Sequence, residues 1–345
     1  GSGTNAYLLT IATNTLSASI SALAGKCTMV GMIDGYFLSF DSAASKFYIS
    51  ALNDGSSWDA TQYAQRSIAP DPWQAMVVDG NRQIWLIGEQ TGEVWYDAGT
   101  SPFPFAPVPG SVFGYGTTAP YSVKLAADRM IWLSQTADGA GIVVAATGLE
   151  PERISTYAVE TAIAGYARTS KITDAEAVAY SDQGHTFYCL TFPAANATWV
   201  FDLSTGLWHE RGVWDIGSGS YDFWGPRSHC YAFGQHLVAD RETGLICTMD
   251  TSYTTECNGD LIRRLRVPPP LWLDATNVRR LFVSRLELLL EVGLGTSTGQ
   301  GVDPQVMMRT STDLKTWSNT QLAAAGPEGS FGTRVYWTRL ASSDR

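Results

Sequence analysis

Residues 74–97 read QAMVVDGNRQIWLIGEQTGEVWYD, and residues 122–145 read SVKLAADRMIWLSQTADGAGIVVA. Residues 175–202, AEAVAYSDQGHTFYCLTFPAANATWVFD, repeat the scheme. Each stretch holds three short apolar runs separated by turn residues. They predict strands at 74–79, 83–88 and 93–97; at 122–126, 130–134 and 141–145; and at 175–180, 186–191 and 198–202. An aromatic sits inside each middle run, at Trp85, Trp132 and Tyr188, with spacings of 47 and 56 residues. A repeat near fifty residues built from short strands marks propeller blades, each an antiparallel sheet of about four strands.

The same pattern extends outward. Residues 7–12 predict a strand. In residues 31–40, GMIDGYFLSF, Asp34-Gly35 predicts a hairpin, because that pair accepts positive φ cheaply. Residues 46–52 supply the next strand. Residues 101–109, SPFPFAPVP, hold too much proline for a central strand and read as a connection between blades. Residues 149–163, LEPERISTYAVETAI, predict a helix inserted between blades, with Pro151 and Glu152 in its first turn and Ile154, Tyr157, Ala158 and Ile163 on one face. Beyond residue 212 the repeat weakens, with strands expected at 228–233, 235–239, 244–249, 283–292, 306–309 and 333–339. Five or six units are recognisable and closure needs one more. The expectation is an all-β propeller of about six or seven blades, mostly antiparallel and four-stranded. It forms one domain over residues 4–345, after a tag remnant Gly1-Ser2-Gly3, and lacks native termini.

Composition agrees. Only 16% of the 345 residues are charged, while 12% are aromatic and 33 are glycine, which favours strands and tight turns over solvated helices. The net charge of −10 argues against wrapping nucleic acid, yet suits the wall of a duct through which DNA slides. No apolar run is long enough to span a bilayer. The five cysteines are odd in number and widely spaced, without a Cys-x-x-Cys pair. They predict free, mostly buried thiols in a reducing cytoplasm.

Chemistry-bearing patterns are sparse. His185, His209, His229 and His236 have no metal-ligand spacing. No phosphate-binding glycine loop and no nucleophile elbow occurs. Residues 311–317, STDLKTW, resemble the Asp-box turn of sialidase-type propellers, one residue short and without its glycine. There the aspartate caps turn amides and the tryptophan packs between strands, away from any catalytic centre. A sialidase would further need three arginines on a carboxylate and a Tyr–Glu pair at the pore-facing ends of the inner strands, and no spacing selects them. No catalytic residue, metal site or cofactor is expected. The one concentration of charge is basic: Arg263, Arg264, Arg266, Arg279 and Arg280, with Arg285 close behind. It reads either as a dock for an acidic partner or phosphates, or as a solvated edge with internal salt bridges.

A chain of short motifs completes the picture. Residues 34–38 (DGYFL), 47–52 (FYISAL), Asp54-Gly55, Trp58-Asp59-Ala60, Leu86, Gly88-Glu89 and 93–96 (EVWY) follow one another in order. Residues 103–105 (FPF), 119–123 (APYSV) and 153–156 (RIST) come next. This set resembles the phage packaged-DNA stabilisation proteins, tail-hub or head-completion proteins of short-tailed phages. The resemblance covers about Tyr7 to Gly212 and thins afterwards, although Gly332-Thr333-Arg334 is also shared. It implies a structural virion protein, assembled in the host cytoplasm and located in the tail. It further implies a ring of copies, six in the virion, below the portal and its adaptor. That ring would seal packaged DNA in the head and hold the tail needle and tailspikes. It transfers no chemistry to any residue. A sialidase-like or glycan-binding propeller is the alternative.

Overall fold

The computed structural model describes residues 4–136, 139–268, 281–313, 315–340 and 342–343. The chain divides into two compact units, Gly1–Arg264 and Leu265–Arg345. All the blades lie in the first.

Blade one comprises Met29–Ile33, Tyr36–Asp41, Lys46–Ala51 and Asp54–Gln65, paired antiparallel in chain order. Its first hairpin turns at Asp34 and Gly35, with φ of 51° and 85°, the positive values that the Asp-Gly pair predicts. Blade two comprises Trp73–Val78, Gln83–Gly88, Gly92–Asp97 and Phe105–Pro107. Blade three comprises Lys124–Ala126, Arg129–Thr136, Gly139–Thr147 and Glu150–Arg153. Blade four comprises Glu176–Asp182, His185–Phe192, Ala197–Asp202 and Leu207–Glu210. Blade five has three strands, Pro226–Ala232, Gln235–Asp240 and Ile246–Met249.

Among the described residues the propeller therefore has five blades, not six or seven. The segments that suggested more units pair only two by two. Leu9–Thr10 pairs with Thr15–Leu16, and Gly212–Asp215 with Ser220–Phe223. In the second unit, Leu281–Phe282 pairs with Ser342–Ser343, Arg285–Leu288 with Val335–Thr338, and Gln305–Met308 with Gln321–Ala324. The apolar run over 283–292 is a strand only across Arg285–Leu288, and the second unit's buried cluster is Ala325, Val335 and Trp337.

Two expectations shift because proline tolerates a sheet edge. Pro107 closes blade two as part of its outermost strand, where no neighbour needs its missing N–H. Pro151 likewise lies in the outer strand of blade three, so residues 150–153 are strand and not the first helical turn. Ile154 and Ser155 still donate backbone hydrogen bonds to the Val143 carbonyl. The helix spans Tyr157–Thr169. Val159 and Ile163, one turn apart, are buried against blades three and four. Glu160 in its first turn accepts from Ser155 Oγ at 2.6 Å and pairs with Arg153.

Alternation along the strands builds the interior between blades. Ile84 and Leu86 join Phe40, Phe47 and Trp95 between blades one and two. Their neighbour Trp85 points the other way and packs with Met130, Trp132 and Val144 of blade three. Ile131 and Leu133, alternating with Trp132, meet Tyr188 and Leu190 of blade four. Tyr180, Cys189 and Val200 then pack with Trp224, just before blade five. Each blade thus shares an apolar layer with its successor.

The single aspartates in turns cap backbone amides. Asp79 accepts from Asn81 N, Gln83 N and Trp85 Nε1 at 2.9–3.0 Å, and Asp71 from Gln90 N and Thr91 N. The Asp-box-like turn does the same: Asp313 accepts from Lys315 N and Thr316 N at 2.8 and 2.7 Å, which lowers its carboxyl to about 2. Cysteine pairing departs from expectation, since Cys247 and Cys257 form a disulfide. Cys27 and Cys189 are buried and free, and Cys230 is exposed and free.

Candidate functional site

The first strands of blades one and two, of three and four, and of four and five run beside one another. Near their starts lie Gln74, Lys124, Glu176 and Arg227. Glu176 is the hub of this row. Its carboxylate takes Arg227 Nε at 3.0 Å and Arg241 Nη2 at 3.1 Å, both from blade five. The Lys124 ammonium of blade three is lowered by burial, against which the charge of Glu176 acts. The carboxylate thus binds two arginines of the following blade, and its charge reaches the lysine of the preceding one. Gln74 donates to Glu89 Oε1 at 3.1 Å.

Two further polar sites lie inside the array. Arg66, whose side chain is 3% exposed, reaches Asp71 at 3.1 Å and Thr91 Oγ1. Glu93 sits beside it in the third strand of blade two and is 1% exposed. Burial raises the Glu93 carboxyl, and Arg66 and the indoles of Trp95 and Trp73 only partly oppose that. Among the described residues, neither Glu93 oxygen nor either indole N–H completes a hydrogen bond. Arg211, after blade four, is held without a carboxylate among the described residues. It donates to Tyr180 Oη at 2.6 Å and lies 5.0 Å from the centroid of the Trp224 ring.

The arginine run divides. Arg263 lies 3.8 Å over the Trp214 ring, on the two-stranded hairpin that follows blade four, and its carbonyl receives Tyr221 Oη. It is half-buried and serves packing. Arg264 is the last residue of the first unit and Arg266 the second residue of the other, both exposed. Arg279 and Arg280 lie outside the described residues. Arg285 pairs with Glu287 at 3.0 Å and lies 4.4 Å over Tyr336.

Among the described residues, the arginines of these sites and the tyrosine beside them are engaged with other partners. Arg227 and Arg241 share the Glu176 carboxylate, Arg66 pairs with Asp71, and the Tyr180 phenol is raised by burial. A nucleophilic tyrosine needs the opposite shift. Among the described residues no group of three or more His, Cys, Asp or Glu side chains could hold a metal ion. No helix among them is long and apolar enough to cross a membrane.

The sequence left Glu176, Arg211 and Glu93 unmarked. Glu93 carried a signal, a charge inside the apolar run 92–95 whose neighbours are all buried. Glu176 gave none, because its partners come from blade five, 51 and 65 residues further along.

Residues 1–254 match the family model described as bacteriophage P22 Gp10, beta-propeller, the phage stabilisation family. The chain belongs to this family. It is a phage structural protein of the β-propeller class, and the five blades fall inside the matched residues. The arginine run begins beyond them. No curated protein matches the chain closely enough to count as a relative. Among solved structures it is similar to Kluyveromyces lactis Hsv2, at 9% identity over 92% of this chain and 91% of that one, TM-score 0.40. It is also similar to the periplasmic gluconolactonase PpgL of Pseudomonas aeruginosa, at 14% over 71% and 76%, TM-score 0.37. Virginiamycin B lyase of Staphylococcus aureus is similar at 9% over 65% and 69%, TM-score 0.37. These likenesses are too distant to bear on the chemistry of this stabilisation-family chain.

Proposed function

We propose that this chain acts as a tail hub, joining the portal and its adaptor to the tail needle and tailspikes and retaining packaged DNA in the head. Membership of the phage stabilisation family over residues 1–254 is the observation that carries the reading. The physical design is consistent with it. Successive blades share apolar layers and Glu176 pins blade four to blade five, so loops at both ends of the strands sit on a stiff frame able to hold several partners. The net charge of −10 disfavours adhesion of passing DNA. Several copies form a ring, and Arg264 and Arg266 are the exposed cations that would meet an acidic partner in it.

Light scattering of the chain with purified portal–adaptor complexes tests this. Addition of several copies to each complex is the expected result. A chain that stays monomeric and leaves the complex mass unchanged would remove the hub reading, and a sialidase assay and glycan array would follow.

A further inference from the structure

All four histidines of the chain gather at the seam between blades four and five. His229 and His236, on the first two strands of blade five, share a hydrogen bond, Nε2 to Nδ1 at 2.9 Å, with rings stacked at 5.2 Å. Tyr180 of blade four packs on both, at 5.5 and 6.1 Å. Its ring lies 5.1 Å from Phe187, which stacks on His185 and meets His209 edge-on. The charged groups around the pair come from three directions. Asp182 of blade four lies 3.8 Å from His236 Nε2, and Asp250, after the last strand of blade five, feels the charge of His236. From the end of blade four, Arg211 donates to Tyr180 Oη, and Tyr231 packs on His236 at 4.9 Å. His185 is held separately by Asp202 at 2.8 Å.

A hydrogen bond between two imidazoles needs one nitrogen with a proton and one without. One added proton is tolerated: on His236 Nε2 it faces Asp182 and leaves the shared bond intact. A second proton, on His229, leaves two N–H groups opposed at hydrogen-bond distance. Two imidazolium rings then sit in contact, with Asp182 3.8 Å from His236 as the carboxylate that faces them. Burial and the neighbouring His236 both lower His229, which opposes a charge on that ring. At the other end of the same strands, Glu176 holds Arg227 and Arg241 at 3.0 and 3.1 Å.

We propose that the seam between blades four and five is an acid-triggered hinge, opening at the His229–His236 end when both imidazoles are charged and pivoting on Glu176. The opened state uncovers Tyr180, Trp224 and the buried Cys189 thiol, while blades one to three stay closed.

Hydrogen exchange of the intact chain, corrected for intrinsic rates and read by mass spectrometry from pH 8 to pH 5, tests it. Protection of residues 226–240 should fall about tenfold between pH 7 and pH 5, the factor expected when the open seam binds the second proton roughly ten times more tightly than the closed one. Residues 83–97 in blade two serve as the internal reference and should change little. The double variant H229Q/H236Q should lose the pH dependence. A flat profile for residues 226–240, an equal fall in both segments, or an unchanged fall in the variant would each overturn the proposal. The wild-type comparison decides the first two without any variant.

Discussion

The Tyr188 hydroxyl, on the second strand of blade four, donates to the Ser122 carbonyl at the entrance to blade three, at 2.7 Å. Both residues are fully buried. The hydrogen bond crosses the seam between two blades, and burial raises the phenol well above its ordinary value. Removing only the hydroxyl, in Tyr188→Phe, leaves the carbonyl without this partner in a dry interior. We expect a loss of about 1–2 kcal/mol in urea unfolding, with an unchanged slope. Tyr188→Ala should cost about 3–5 kcal/mol, because it adds a cavity between blades three and four.

Gly116 should tolerate no side chain. A Cβ there would lie 2.2 Å from the Glu89 carbonyl carbon and 2.3 Å from Gln90 N, which are backbone atoms that cannot rotate away. Its own carbonyl accepts Trp132 Nε1 and Ser134 Oγ, at 3.2 and 3.0 Å. Gly116→Ala should therefore force apart a seam between blades two and three. A loss of about 1–3 kcal/mol in unfolding free energy is expected, and an effect within about 0.5 kcal/mol, the usual range for surface changes, would contradict this packing.

Glu176→Gln should cost more than removal of either arginine. It leaves Arg241, 16% exposed at its side chain, without its carboxylate, at about 1–3 kcal/mol. Arg227→Gln should cost under about 1 kcal/mol, since that side chain is 61% exposed and water replaces the pair. A double-mutant cycle of Glu176 with Arg241 reads the coupling directly.

Glu93 should act in the opposite sense. Because burial raises its carboxyl, the folded state holds the proton to higher pH than the unfolded chain does. Between the two values the native state binds more protons, so this group's contribution falls as pH rises above about 4 and stays low beyond the folded value. Arg66 keeps Asp71 and Thr91 when Glu93 loses its charge. Glu93→Gln should thus be neutral or stabilising by up to about 2 kcal/mol at pH 7, with the gain vanishing below about pH 4. Stability against pH for the two proteins checks this, and a variant less stable than wild type at pH 7 would show that the carboxylate is satisfied in place.

The apolar spacing around Trp85, Trp132 and Tyr188 made blades two to four legible, because an alternating run flanked by turns has few other uses. It could not say which face each aromatic takes: Trp85 looks toward the following blade, Trp132 and Tyr188 toward the preceding one. Pro107 and Pro151 hid two outer strands, since proline argues against a strand only where a neighbour must receive its N–H. The blade number was overstated because the strands at 281–282, 285–288, 305–308 and 335–338 have the composition of a blade but pair only in twos. The Cys247–Cys257 bond escaped notice because wide, odd spacing names no pair. Of the arginine run, Arg263 proved to be packing on Trp214, a contact set by a hairpin about fifty residues earlier. The histidines looked scattered because 51 residues separate the first from the last, and only the meeting of two blades brings them together.

Retention of DNA in the phage head is the central claim for this protein. The most direct measurement is nuclease sensitivity of packaged DNA in heads assembled without it, before and after the purified chain is added. Such heads should leak DNA and become resistant when the chain binds. Heads that keep their DNA equally well without it, or that remain leaky after saturating addition, would contradict the claim.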